Sequence, residues 1–208
     1  MKYVIDHIVM AVPNLDMAVT DFYERTGVRP VIGGRHTALG TANALIGLDN
    51  GAYLELLAVD PATHIQPPRW MGVDLITTPR ITRWALKSDD IHRDVAPLRR
   101  YDPSLAAVQK GQRKMTTGDM LEWSLTMPLP APIVEVAPFF LGWSRSSHHP
   151  ADKLESACTL TSIKFTHPPS DDLDVLFAHI GFQDQLKYDQ AASIEVVIES
   201  PLGAVILR

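Results

Sequence analysis

Two stretches of this chain spell the same order of elements, and that repetition narrows the available folds more than any single motif. Residues 3–12 alternate as a strand, with Ile5, His7, Val9 and Ala11 on one face and Val4, Asp6, Ile8 and Met10 on the other. Both faces are mostly apolar, so the strand is expected inside a sheet. Asn14 can cap a helix in which Leu15, Ala18, Val19 and Phe22 recur at helical spacing before Gly27 ends it. Residues 30–32 with Gly33-Gly34 read as a bent strand. Residues 41–48 and 52–59 flank Asp49-Asn50-Gly51, the strongest short hairpin signal in the chain. The order is β-α-β-β-β.

After a connection holding Pro61, Pro67, Pro68 and Pro79 the order starts again. Residues 83–87 read as a strand, Ser88 or Asp89 as a cap, and Ile91, Val95 and Leu98 as one helical face. Thr117-Gly118-Asp119 joins two extended runs, and residues 134–143 supply another. Residues 144–157 read as a connector. Beyond it come a strand at 160–166, a Ser170-capped helix closed by Gly181, and extended runs at 194–198 and 204–207 around a Pro201/Gly203 turn, a shortened third copy. Such units predict an α+β fold of repeated βαβββ modules, paired into a curved half-open barrel with function on its concave face.

Composition narrows the partners. The 208 residues are 46% hydrophobic and 21% charged, enough for a packed core, and net charge is −5 with no Lys/Arg block. No nucleic-acid partner is expected, and a small-molecule ligand is. Cys158 is the lone cysteine, which excludes an internal disulfide and points to a reducing, cytoplasmic setting. Asp6 and His7 interrupt any N-terminal apolar leader, and no run reaches membrane-spanning length, so neither secretion nor a membrane partner is expected.

Asp6-His7-Ile8-Val9-Met10-Ala11-Val12-Pro13, Gly33-Gly34-Arg35-His36, Gly40-Thr41-Ala42-Asn43-Ala44-Leu45 and Tyr53-Leu54-Glu55-Leu56 together resemble the glyoxalase-like domain family of the vicinal oxygen chelate superfamily. Pro138-Phe139-Phe140-Leu141-Gly142-Trp143 is similar to its second-half signature. The resemblance covers residues 3–167 and is strongest over the first 60. It implies a domain at 1–146 of two modules, about 1–60 and 81–143, followed by a truncated βαββ module at 157–208. It also implies a divalent metal ion that a substrate chelates through neighbouring oxygens, with His7 and Glu55 matching two of its ligands. Thr82 or Arg83 falls where a further histidine is expected, and Gly142 where a carboxylate or amide is. Ser162 and Leu207 take the corresponding places in the third unit.

Glu55 lies in an apolar strand, where a carboxylate must be paired, protonated or metal-bound. Imidazole with carboxylate suits Zn, Mn, Fe, Ni or Co, and leaves coordination positions for substrate. A three-residue turn at 49–51 pairs Leu45 with Glu55 and Asn43 with Leu57, so that Asn43 and Glu55 share a face, and Gly51 favours it over a two-residue turn. Asn43 then orients substrate or anchors a loop. His36 is a candidate acid/base or third ligand, with a surface-loop position as the alternative. Arg83 could meet an acidic substrate, with an outward salt bridge as its alternative. Of His148 and His149 at most one can reach the cup, and solvent exposure is expected for both; His64, His92, His167 and His179 have no ligand spacing. Two functions follow: a divalent-metal-dependent lyase, isomerase or dioxygenase acting on a small oxygen-rich molecule with Glu55 and His36 as catalytic groups, or a metal-free protein that binds or sequesters a small molecule in the same cup. Exposed sheet edges suit a homodimer.

Overall fold

The computed structural model describes residues 3–114, 120–143 and 149–208, which leaves the Thr117-Gly118-Asp119 turn and His148 outside the described residues. The first unit is β1 (Ile5–Ala11), α1 (Leu15–Thr26), β2 (Val31–His36), β3 (Thr41–Leu48) and β4 (Tyr53–Val59). The second is β5 (Arg80–Lys87), α2 (Ile91–Tyr101), β6 (Val108–Lys114), β7 (Met120–Thr126) and β8 (Phe139–Trp143). In each unit the opening strand lies parallel to the last, which pairs antiparallel with the strand before it. β1 and β5 meet antiparallel in the middle, with Val9 opposite Arg83 and His7 opposite Ala85. Exchanging His7 with Arg83 and Val9 with Ala85 reproduces that pairing, so the units are related by an approximate two-fold through the seam. The result is the expected α+β arrangement of repeated modules, a large curved sheet that does not close.

Local chemistry sets the element ends. Asn14 accepts from the Met17 amide and Gly27 takes a left-handed conformation at φ 73°, as the sequence suggests. Ser170 and Gly181 bound the third helix, α3 (Asp171–Ile180), in the same way. The second helix is capped by Asp90 rather than Ser88 or Asp89, because Ser88 donates instead to the buried Asp94 carboxylate. β8 starts at Phe139 rather than at residue 134. The chain before it serves the neighbouring strand, with Glu135 N–H donating to the Thr82 carbonyl and Trp84 Nε1 to that of Val136.

The C-terminal elements β9 (Ser156–His167), α3, β10 (Leu186–Tyr188), β11 (Ser193–Ser200) and β12 (Gly203–Leu207) have a strand order of their own. β9 lies between β10 and β11, and β11 pairs with β12, whereas in the first two units the opening strand neighbours the last. The short β10 has no alternating pattern in the sequence to reveal it. These elements pack on the convex side, where Phe165, Phe177 and Phe182 surround Trp84. A second apolar cluster, including Val9, Leu57, Ala85, Phe139 and Leu141, fills part of the concave side with Met71, Val73 and Ile76 from the linker between units. No described helix is long and apolar enough to cross a membrane.

β9 joins the sheet through Gly47, which pairs with Ser156. A Cβ there would stand 2.1 Å from the Glu155 carbonyl oxygen. Gly47→Ala is therefore expected to lower stability by roughly 1–3 kcal/mol, read as a lower urea midpoint with an unchanged slope. An unchanged midpoint would show that this junction yields without cost.

Candidate functional site

Three adjacent strands bring the site together on the concave face. β1 pairs with β4 so that Val9 lies opposite Glu55, and β4 pairs with β3 so that Glu55 lies opposite Leu45 and Leu57 opposite Asn43. This is the three-residue-turn register, closed by Leu48 N–H on the Ala52 carbonyl. His7, Glu55 and Asn43 thus converge, each nearly buried. His7 Nε2 lies 3.7 Å from Glu55 Oε2, and Asn43 Nδ2 donates to Glu55 Oε1 at 2.5 Å. The Gly34 amide holds Asn43 Oδ1 at 2.7 Å, so the loop anchor and the carboxylate partner are the same side chain. A Cβ on Gly33 would collide with that Oδ1 at 2.2 Å, which explains the glycine at 33.

Asp6 departs from strict alternation. The β1–β5 register shifts between Ile5 and His7, and Asp6 has no partner on β4. Its side chain consequently accompanies His7 instead of facing away. Asp6 Oδ1 is 2.7 Å from His7 Nδ1, while Oδ2 accepts from Trp143 Nε1 at 2.9 Å and lies 2.9 Å from His149 Nε2. Asp6 is fully buried. Burial by itself pushes its carboxyl up, but the hydrogen bonds to His149 and His7 and their positive character outweigh this and hold it well below the usual carboxylate range. Asp6, Trp143 and His149 had no assigned role in the sequence. For Asp6 the available signal is a carboxylate inside an otherwise apolar strand.

The walls are aromatic. Tyr53 stacks on His7 with ring centroids 4.7 Å apart, Phe139 meets it edge-on at 5.3 Å, and Trp143 and Tyr53 both contact the His149 ring. Trp123 lies across Gly111, where a Cβ would come within 2.3 Å of the indole. The pocket they enclose, about 70 Å³, opens beside a cleft of about 1140 Å³ that shares Trp123, Leu141 and Trp143. His36 lines the same pocket, with Nδ1 3.0 Å from Thr41 Oγ1 and its ring edge-on to Trp70. Trp70 Nε1 is buried with no hydrogen-bond partner among the described residues.

Arg83 stands as far before its helix cap, Asp90, as His7 stands before Asn14, and so takes the place of His7 in the second unit. It faces neither a substrate position nor solvent. Its guanidinium is buried and donates to the carbonyls of Thr82, Ile133, Leu129 and Pro132 at 2.7–2.9 Å. Burial pulls its pKa down to about 10, with Glu135 acting in the opposite direction. By the same symmetry the counterpart of Glu55 is Phe139, since Ala85 pairs with Phe139 as Val9 pairs with Glu55. Gly142 is displaced from that place; a Cβ on it would approach the Ser88 carbonyl instead. The second unit thus sets a cation and a phenyl ring where two ligands would stand, and among the described residues no three His, Cys, Asp or Glu side chains converge on a metal position. The donor set does not fit a four-ligand centre.

The folded Asp6 carboxyl titrates below its unfolded value, so its stabilisation is complete above about pH 4 and is lost as pH falls further. Asp6→Asn is expected to cost roughly 1–3 kcal/mol at neutral pH, the worth of hydrogen bonds to a charged group, and to flatten the fall in stability below about pH 4. Urea midpoints of both proteins across that range test this. Parallel curves would mean that other carboxylates control acid unfolding.

Among curated proteins no relative matches. A hypothetical protein from Staphylococcus aureus is similar in structure with a TM-score of 0.57 at 16% identity, over 97% of this chain and 83% of that one. Methylmalonyl-CoA epimerase from Mycobacterium tuberculosis gives 0.39 at 18% identity, over 67% of this chain and 85% of that one. A Streptomyces coelicolor methylmalonyl-CoA epimerase variant gives 0.44 at 18%, over 69% and 97%. The family model of the glyoxalase-like domain matches residues 5–181, and the chain belongs to that family.

Proposed function

We propose that the cup is a metal-independent active site that moves a proton on a small, largely apolar molecule, as an isomerase or lyase would. The observation that carries this reading is the buried pair of His7 Nε2 and Glu55 Oε2, 3.7 Å apart at the floor of an aromatic pocket. Each member is held from behind, His7 by Asp6 and Glu55 by Asn43. A reacting C–H or O–H placed between them meets two groups able to take and return a proton, and fixed geometry of this kind is the main requirement of general acid–base catalysis. Tyr53, Phe139 and Trp143 would exclude water around it.

One observation favours a second reading. A carboxylate behind a histidine, as Asp6 stands behind His7, is also the usual backing of a metal-bound imidazole. On that reading His7 and Glu55 would hold a divalent ion that supplies Lewis-acid polarisation of a substrate oxygen, with other ligands coming from solvent and substrate.

Exchange of carbon-bound hydrogen with solvent deuterium, followed by NMR in a panel of small aryl carbonyl compounds, tests the first reading. Wild type should catalyse exchange in at least one compound, and Glu55→Gln and His7→Gln should each lose on the order of a hundredfold or more. Thermal melts of wild type and Glu55→Gln with Mn(II), Zn(II) or Ni(II) separate the second. No metal shift in either protein agrees with the metal-independent site, whereas stabilisation of wild type alone would replace it with the chelate reading. Binding without exchange would leave a ligand-sequestering cup.

A further inference from the structure

We infer that Trp143 and His149, acting through Asp6, fix which ring nitrogen of His7 carries hydrogen, and thereby make the cup select ligands that bring a proton donor to it, neutral or cationic, over anionic ones. The inference deepens the proposed role of the His7–Glu55 pair and rests on it for its link to catalysis.

The argument is one of donors and acceptors. An indole N–H can only donate, so Trp143 Nε1, 2.9 Å from Asp6 Oδ2, assigns that oxygen as acceptor. His149 opens a short turn, in which its Nδ1 accepts the Ala151 amide at 3.2 Å while Asp152 accepts the His149 amide at 3.0 Å. With Nδ1 accepting, the His149 hydrogen is on Nε2, which also points at Asp6 Oδ2 at 2.9 Å. Two donors therefore pin Oδ2, and Oδ1 is left aimed at His7 Nδ1 at 2.7 Å. An ionised carboxylate offers no hydrogen, so Nδ1 must supply it. In the neutral ring Nε2 is then a bare lone pair.

That lone pair faces Glu55 Oε2, whose other oxygen is already taken by the Asn43 amide. The cup floor thus presents two acceptors side by side. No lysine or arginine is among the described residues lining this pocket; Arg83 is spent on carbonyls, and Lys87, whose Nζ donates to the Gly51 carbonyl, and Lys110 line the neighbouring cleft instead. A ligand N–H or O–H satisfies both acceptors. An anion would add like charge beside a buried carboxylate.

The first test is the hydrogen-bonding state of His7 in the whole protein, read from multiple-bond proton–nitrogen spectra of histidine-labelled material, with His7→Gln for assignment. Wild type should show hydrogen on Nδ1. In Asp6→Asn the amide must keep its oxygen toward Trp143 and His149, which turns its NH2 to His7 Nδ1 and moves the ring hydrogen to Nε2. Replacing both anchors with Phe (Trp143→Phe, His149→Phe) should release Asp6 and give a mixture of tautomers, an outcome that does not depend on Asp6→Asn folding. A wild-type ring with hydrogen on Nε2 alone, or a double variant identical to wild type, overturns the inference. The second test titrates tryptophan fluorescence with phenol, benzylammonium and benzoate near neutral pH. Benzoate should bind about tenfold or more weakly than the other two, equivalent to about 1.4 kcal/mol; equal or tighter benzoate binding also overturns it. Tautomer and selectivity as expected without any deuterium exchange would defeat the proton-transfer reading while leaving this one standing.

Discussion

Where β1 runs antiparallel to β5, the pairing of His7 with Ala85 and Val9 with Arg83 commits one parity of residues to the concave side and the other to the helices. Ile8 and Trp84, on the opposite parity, are buried against the convex layer that α3 and β9 complete. A slip of one residue along this seam would send His7 into the helix-covered core and expose Trp84 to the cup. The seam therefore sets the register of the site as well as that of the sheet. Trp84, wedged among Phe165, Phe177 and Phe182, makes such a slip costly.

Much of this was legible in the sequence because its causes are local. Asn14, Ser170, Gly27 and Gly181 mark helix ends through bonds and backbone angles within a turn of themselves. The hairpin at 49–51 is likewise closed by neighbours, and the pairing of Glu55 with Leu45 and Asn43 with Leu57 follows from its length alone. Two of the three converging residues, His7 and Glu55, came from the family resemblance together with alternation, and the hairpin supplied the third.

What could not be read depends on partners remote in sequence. Alternation sends Asp6 away from His7, and only the register shift against β5 brings it alongside. The sequence lets at most one of His148 and His149 reach the cup and expects neither to, whereas in the fold Asp6 receives His149. Counting along the second unit put Gly142 at the carboxylate place, yet the parallel pairing of β5 with β8 puts Phe139 there. The sequence offers Arg83 a substrate or solvent to meet, because its acceptors are backbone carbonyls in the segment around residues 129–133 and carry no side-chain signature.

The two related units consequently differ in use: one holds titratable groups at the seam, and the other has an internal brace at the equivalent position. Arg83 binds four carbonyls at once. A histidine at 83 would gain one metal-binding nitrogen and, in the same step, leave most of those carbonyls without a donor, a loss that costs stability for each one shielded from water. Phe139 would still block the remaining ligand place. The second unit is in this sense locked: a ligand at 83 is reached only through a less stable protein, so the brace and a symmetric metal site exclude each other.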